Sequence, residues 1–119
     1  MSELKYEEIN PRSRRELIIA LASDDLEQIR NALYSAGKYE SDWQWSQAQC
    51  LKFLVHADRL VRWAAALSLG YIALYQRRID LAEVLPALHA AKEDAKEDDQ
   101  LVSVVQDAIE MILHYIKRN

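Results

Sequence analysis

A chain of 119 residues, half of them hydrophobic and 29% charged, is long enough for one domain with its own core and is not typical of a disordered protein. Two glycines and two prolines are too few for the turns of an all-β protein, and a single cysteine, Cys50, excludes an internal disulfide and suits a reducing compartment. The net charge of −4 argues against nucleic-acid binding, which depends on neutralising phosphates, and permits a basic partner.

The chain is expected to be a cytoplasmic protein without a secretory signal or a membrane span. The first residues, MSELKYEEINPRSRREL, lack the apolar core of a signal peptide. The longest apolar stretch, 60–75, is interrupted by Arg62 and is shorter than the ~20 apolar residues that cross a bilayer.

Two helices are predicted before residue 40. Ser13 and Glu16 have the spacing of a capping box, which predicts a helix start, and Asp24 and Glu27 repeat that spacing. The second helix has one apolar face, made of Leu26, Ile29, Ala32, Leu33 and Ala36. Gly37 is expected to end this helix as its C′ residue.

The third and fourth helices are predicted over 42–55 and from the cap Asp58 to Tyr75. The buried stripe of the third is expected to consist of Trp45, Ala48, Leu51 or Lys52, and Val55. The fourth has two apolar sides, one with Val61, Ala65, Ser68 and Ile72, the other with Leu60, Ala64, Leu67, Tyr71 and Leu74. The strip left for solvent or for a neighbour is Arg59, Arg62, Trp63, Ala66, Gly70 and Ala73. Its small residues permit close approach of another backbone, for which an adjacent helix is the simpler interpretation and a partner the alternative.

The last two helices complete an all-α pattern, since no long segment alternates at period two. Asp80 and Glu83 have capping-box spacing, but Pro86 means that the fifth helix either kinks or starts at Leu85. The sixth is predicted over 101–117. Its inward residues are Val104, Val105, Ala108, Ile112 and Ile116.

Three segments share the order hydrophobic, polar, any residue, alanine: 29–32, 61–64 and 105–108. At these residues the chain resembles a HEAT-repeat protein, most specifically over ADRLVRWAAALSLG. The resemblance implies about three antiparallel helix pairs stacked as a short HEAT-like right-handed solenoid, with 1–119 as one domain and 1–12 as a flexible N-terminal segment. It also implies that the arginine of the repeat, Arg62, ties neighbouring repeats together.

No catalytic or metal-binding equipment is recognised in the sequence. The three histidines, His56, His89 and His114, fall in separate predicted helix pairs, and His56 is expected in a loop. Cys50 lies within a predicted helix without a nearby histidine and is expected to be a structural thiol. A glycine-rich phosphate loop is missing. The chain is therefore predicted not to be an enzyme and to use no metal, cofactor or small-molecule substrate.

Two segments are candidates for recognition. Residues 92–99 contain five acids and two lysines; the acids are Glu93, Asp94, Glu97, Asp98 and Asp99. They form either a solvated link that caps the sixth helix or a contact for an electropositive partner. In the link 39–45, Trp45 is assigned to the core, whereas Tyr39 and Trp43 are candidate interface anchors because tyrosine and tryptophan are enriched at binding hot spots.

The stretch VRWAAALSLGYIAL is similar to the centres of small HEAT-like immunity proteins of contact-dependent growth-inhibition and related polymorphic toxin systems. This resemblance implies an inhibitor that binds a cognate toxin domain, frequently a basic nuclease, without contacting nucleic acid or membranes. Trp63, Arg59 and Arg62 join Tyr39, Trp43 and the acids of residues 93–99 as candidate partner-binding residues. The alternative is a HEAT-type adaptor or assembly factor for an endogenous protein. A DNA-repair enzyme on a HEAT-like scaffold is disfavoured by the acidic charge.

Overall fold

A computed structural model of the chain describes residues 9–116, and residues 1–8 and 117–119 lie outside this range. Within it the chain is all-α, as predicted, with six α-helices, one π-helical turn and no strand. The helices are α1 (Arg14–Leu21), α2 (Leu26–Tyr39), α3 (Trp43–Phe53), α4 (Arg59–Tyr71), α5 (Leu81–Asp94) and α6 (Asp99–Tyr115), and the π turn, Ile72–Gln76, follows α4 directly.

Each of the six described α-helices begins with a side-chain cap, which accounts for predicted starts that are correct to within about two residues; α2 is capped by Asp25 and not by Asp24. The capping residues are Ser13, Asp25, Asp42, Asp58, Asp80 and Asp98. Ser13 and Glu16 form the complete capping box that their spacing predicts. Each cap satisfies amide groups of the first turn and contributes about 1 kcal/mol.

One predicted helix boundary is wrong, and one alternative is decided. Gly37 does not end α2, which continues to Tyr39; it is buried inside the helix, where its missing side chain allows contact with α4. Of the two starts considered for the fifth helix, the structure has the earlier one, Leu81 with Asp80 as the cap, and Pro86 lies inside the helix.

The helices form two layers, with α4 at the centre of the first. In this first layer α4 packs between α2 and α6. In the second, α1, α3 and α5 pack on α2, α4 and α6 respectively. Three helix pairs thus stack along the chain, as expected, while the assignment to HEAT repeats and the handedness remain predictions.

Small residues bring α4 close to both neighbours. A Cβ on Gly37 would lie 2.8 Å from the Ser68 carbonyl oxygen, and a Cβ on Gly70 would lie 2.8 Å from the Met111 sulfur and 3.6 Å from the Ala108 Cα. Ala66, Gly70 and Ala73, which the sequence left for solvent or for a neighbour, are buried against the protein's own helices. The small-residue side of α4 therefore serves helix packing.

The predicted buried face of α3 is wrong by about one residue. The residues that α3 and its C-cap bury are Ser46, Gln47, Cys50, Phe53 and Leu54. Val55, expected in the stripe, is 77% exposed, and Ala48 is also exposed. Polar residues can face inward here because their hydrogen bonds are satisfied: the Ser46 hydroxyl donates to the Ala36 carbonyl, and Gln47 accepts from the backbone amide of Asp80.

The N-terminal segment is described only from residue 9. The carbonyl oxygen of Ile9 accepts a hydrogen bond from the Tyr39 hydroxyl at 3.1 Å, and that of Asn10 accepts one from the Ser35 hydroxyl at 2.8 Å. Residues 9 and 10 thus contact α2, while the rest of the segment predicted to be flexible, residues 1–8, lies outside the described residues.

Candidate partner-binding surface

The solvent-facing side of α4 carries a continuous row of apolar side chains that helical spacing places on one face. We call this row the α4 strip; it consists of Leu60, Trp63, Leu67, Tyr71 and Leu74. Leu60 is 44% exposed, and the other four are half-buried. All but Trp63 were expected to pack inward; this prediction is wrong for Leu60, which is exposed, and holds only in part for the half-buried Leu67, Tyr71 and Leu74, because α2 and α6 pack on the flanks of α4.

Tyrosines extend the α4 strip toward α2 and the π turn. The ring centroids of Tyr34 and Tyr71 are 6.2 Å apart, and those of Tyr71 and Tyr75 are 5.9 Å apart. The Lys38 ammonium lies 5.5 Å from the Tyr75 ring centroid. Burial, and secondarily the neighbouring Tyr71, raises the pKa of the Tyr34 hydroxyl. This cluster was not predicted from the sequence, because its members lie on three separate segments.

Exposed acids lie on the outer face of α6, the helix that flanks α4. Asp107 and Glu110 are both exposed there, with Ser103 and His114 at the same helical spacing, and Glu110 accepts a hydrogen bond from Gln106, which itself accepts one from Lys92 of α5. Beside them, α6 contacts α4 through Ala108 and Met111. We call Ser103, Asp107, Glu110 and His114 the α6 edge. An apolar strip next to an acidic border is the arrangement of a binding core with a polar rim.

Arg59, Trp63 and Asp98, three of the predicted site residues, meet at the start of α4. The Arg59 guanidinium lies 5.4 Å from the Trp63 ring centroid and donates to both Asp98 and Gln100, with one bond of 3.1 Å to Asp98 Oδ1. The hydrogen bond from Arg59, followed by that from the Leu101 amide, lowers the pKa of Asp98. Arg59 and Asp98 therefore already bind each other and join α4 to α6.

Arg62 does not tie neighbouring repeats together, and this prediction is corrected. Its guanidinium donates to the carbonyl oxygens of His56 and Ala57, each at 2.9 Å, within the link between α3 and α4. Arg59, by contrast, does join successive helix pairs, since it donates to Asp98 and Gln100 at the start of α6.

The remaining acids of the predicted site surround the start of α6. Glu93 and Asp94 end α5, Glu97 lies in the link, and Asp99 is the first residue of α6; all four are exposed. Glu93 forms an ion pair of 3.6 Å with Lys96. The segment therefore contains both a structural cap, Asp98, and four exposed acids that a partner could contact.

Tyr39 and Trp43 lie at the other end of α3 from the Arg59 group. The 11 residues of α3 have a length of about 16 Å, which separates this pair from the Arg59 group. Tyr39 is 41% exposed, whereas Trp43 is half-buried against the core. Trp45, assigned to the core, is half-buried, and the Arg14 guanidinium lies 4.2 Å from its ring centroid. The predicted site residues thus fall into two groups rather than one surface.

A groove of about 550 Å³ between α3 and α5 was not anticipated. Apolar residues such as Leu51, Val55 and Ala87 line it, with Glu83 and Asp94 among its polar residues. The groove could not be predicted from the sequence, because it depends on the spacing between α3 and α5. Its α5 side is lined by three alanines, Ala87, Ala90 and Ala91, which are equally typical of helix packing.

His56 and Cys50, which were considered as catalytic or metal-binding residues, take part in local structure. His56 lies in a loop, as predicted, and its Nδ1 accepts a hydrogen bond from the Asp58 amide at 2.9 Å. Cys50 is fully buried, and burial raises the pKa of its thiol to about 12. Over residues 9–116, no three His, Cys, Asp or Glu side chains are grouped to hold a metal ion. None of the helices in this range combines the length and apolarity needed to cross a bilayer.

Comparison with known proteins identifies a structural relative and no family. No protein-family model matches the chain, and no curated protein sequence does. Among solved structures, the chain is similar to a chain of the crystal structure of a CDI complex from Cupriavidus taiwanensis LMG 19424, with a TM-score of 0.79 over 93% of this chain and 96% of that chain. The two sequences are 23% identical. The present chain is therefore similar in fold to a chain of that complex over 93% of its length.

Proposed function

We propose that this chain is an immunity protein that binds a cognate toxin domain and neutralises it. The observation that carries the proposal is the fold shared over 93% of the chain with a component of a CDI complex, where CDI stands for contact-dependent growth inhibition. The resemblance of VRWAAALSLGYIAL to immunity proteins supports the same function independently of the fold. An exposed apolar strip on the central helix is what a protein-binding inhibitor needs.

In this proposal the chain acts inside the producing cell by binding alone. It needs no catalytic residue, cofactor or nucleic-acid contact, and its net charge of −4 suits a basic, nuclease-type toxin. An inhibitor of a lethal activity must bind tightly, with a dissociation constant of about 1 nM or less, which corresponds to about −12 kcal/mol. Exposed ion pairs contribute little each, so desolvated apolar anchors must supply most of this free energy.

Growth in the presence of the toxin tests the function directly. The toxin domain encoded beside the gene of this chain is expressed in bacteria with and without the chain, and a toxin paired with its own known immunity protein serves as the positive control. We expect the chain to restore growth and to form a stable complex with a catalytically inactive form of the toxin. A chain that neither binds nor protects, but copurifies stoichiometrically with an endogenous enzyme, would instead support an adaptor.

The exposed acids of the α5–α6 link are proposed to accelerate association with the toxin. Replacing Glu93 and Glu97 by Gln and Asp99 by Asn should slow association and flatten its salt dependence, since rim charges act mainly on association rates. Asp98 is left intact because it caps α6 and binds Arg59. Unchanged association at low and high salt would remove these acids from the binding surface.

Tyr39, Trp43 and Trp63 are the proposed aromatic anchors, and Trp43→Ala tests the Tyr39 and Trp43 pair. Loss of an anchor should accelerate dissociation of the toxin complex. Because Trp43 also packs against the core, circular dichroism and thermal unfolding must show that the variant is folded. A folded variant with wild-type dissociation would exclude Trp43 from the interface.

A further inference from the structure

We propose that the toxin docks on the α4 strip with a basic border of its own lying over the α6 edge. This inference rests on the proposed function and identifies the surface that performs it. The α4 strip is distinct from the Tyr39 and Trp43 group, and it shares only Trp63 with the residues predicted from the sequence.

The position of the α4 strip favours it over the other exposed apolar residues. Ile19 on α1 is 62% exposed and Val55 after α3 is 77% exposed, but each lines a separate pocket, the first between α1 and the start of α2 and the second between α3 and α5. The α4 strip instead runs along the whole central helix, from Leu60 in its first turn to Leu74 in the π turn. Contiguous apolar area with aromatic members is the composition of an interface core.

The helices that carry the α4 strip are closely packed, which favours tight binding. Gly37 and Gly70 bring α2 and α6 into close contact with the two flanks of α4, so the row of side chains stands on tightly packed backbones. Tyr34 and Tyr71 are in ring contact with each other. Side chains that are already ordered lose little conformational entropy on binding.

Charge identifies the chemistry of the partner. On the α6 side, the α6 edge presents the exposed acids Asp107 and Glu110; α6 itself contains no lysine or arginine between residues 99 and 115, and Lys92 of α5 donates to Gln106 of α6. On the other side, α2 presents cations as well as Glu27, with Arg30 and Lys38. A toxin with lysines or arginines beside an apolar patch therefore fits the strip in one orientation, with its basic border over α6.

Truncation of exposed apolar residues tests the surface. Leu60→Ala is compared with Ile19→Ala and Val55→Ala, three exposed aliphatic side chains on different surfaces, using the inactive toxin domain and the complete chain. We expect Leu60→Ala to accelerate dissociation about tenfold, the effect of losing a moderate hot spot, and both control variants to change it less than about twofold. Leu67→Ala provides a second position on the α4 strip if Leu60 lies at the rim.

A matched pair of charge variants tests the orientation. Asp107→Asn with Glu110→Gln and Asp24→Asn with Glu27→Gln each remove two negative charges, so their net charges are equal. We expect the first pair to slow association several-fold and to weaken its salt dependence, and the second to leave association unchanged or slightly faster. Equal slowing by both pairs would show an effect of net charge alone and would overturn the orientation.

The outcomes separate the docking surface from the function. If the unmodified chain binds the toxin and both Leu60→Ala and Leu67→Ala bind as tightly, the docking surface is wrong and the immunity function stands. If Val55→Ala alone weakens binding, the toxin occupies the groove between α3 and α5. If the unmodified chain does not bind the toxin, the proposed function fails, and the docking surface fails with it.

Discussion

The contrast between Gly37 and Gly70 provides a sharp test of how the helices of the first layer pack. Replacing either glycine by alanine gains about 1 kcal/mol of helix propensity. At Gly37 the new Cβ would meet the carbonyl oxygen, Cβ and Cα of Ser68 at 2.8, 3.1 and 3.2 Å, so the backbones of α2 and α4 must separate. At Gly70 it would meet the Met111 sulfur at 2.8 Å, the end of a flexible side chain that can move aside.

These contacts predict opposite effects on the free energy of unfolding. Overpacking costs about 1–3 kcal/mol, and contact with backbone at Gly37 places the cost in the upper part of that range, for a net loss of about 1–2 kcal/mol. Gly70→Ala should be neutral or stabilising by up to about 1 kcal/mol. Urea unfolding measures both variants, with a fall of roughly 0.5–1 M in the midpoint expected for Gly37→Ala at unchanged slope. Equal stability of Gly37→Ala and the unmodified chain would refute the close approach of α2 to α4.

Three further predictions concern buried or paired polar groups. The Cys50 thiol should resist alkylation in the native state at pH 8, and because burial raises its pKa from 9.0 to about 12, stability should fall as pH rises through that interval; rapid labelling of the folded protein would contradict its burial. Gln47→Ala removes hydrogen bonds to the Asp80 amide and to Glu83 and should lower the free energy of unfolding, measured in urea, by about 1–2 kcal/mol. An unchanged free energy of unfolding would show that these bonds do not stabilise the fold. Asp98→Asn should destabilise the protein at neutral pH. Since Arg59 lowers the pKa of Asp98, that difference should vanish as pH falls below the ordinary value of 3.8, and a pH-independent difference would disprove the ion pair's role.

The helix starts and the fold class could be predicted because they depend on neighbours in the chain. A cap such as Ser13 or Asp58 bonds amides two or three residues away, so its effect is visible in sequence spacing. The inward face of α6 was also predicted, since Val105, Ala108 and Ile112 are buried at helical period. Ala64 and Ala65 are fully buried, as a central helix with two flanking neighbours requires.

The proposed docking surface depends on which helices pack together, and local sequence pattern does not contain that information. Leu60 and Leu67 have the same spacing as core residues, yet Leu60 is exposed and Leu67 only half-buried, because α2 and α6 occupy the flanks of α4. Glycine is typical of a helix end, but Gly37 lies inside α2, where the absence of a side chain allows close contact with Ser68 of α4.

The sequence alone determined a single all-α chain, its capped helix starts and its acidic charge, because each depends on composition or on residues within a few positions of one another. Only the tertiary structure decided that Arg59 rather than Arg62 joins successive helix pairs and that α3 buries Gln47 while exposing Val55. It also decided that Leu60, on the outer face of α4, is exposed while Leu67, Tyr71 and Leu74 are only half-buried. Each of these depends on contacts between segments far apart in the chain, where the neighbour, and not the residue's own hydrophobicity, sets what is buried.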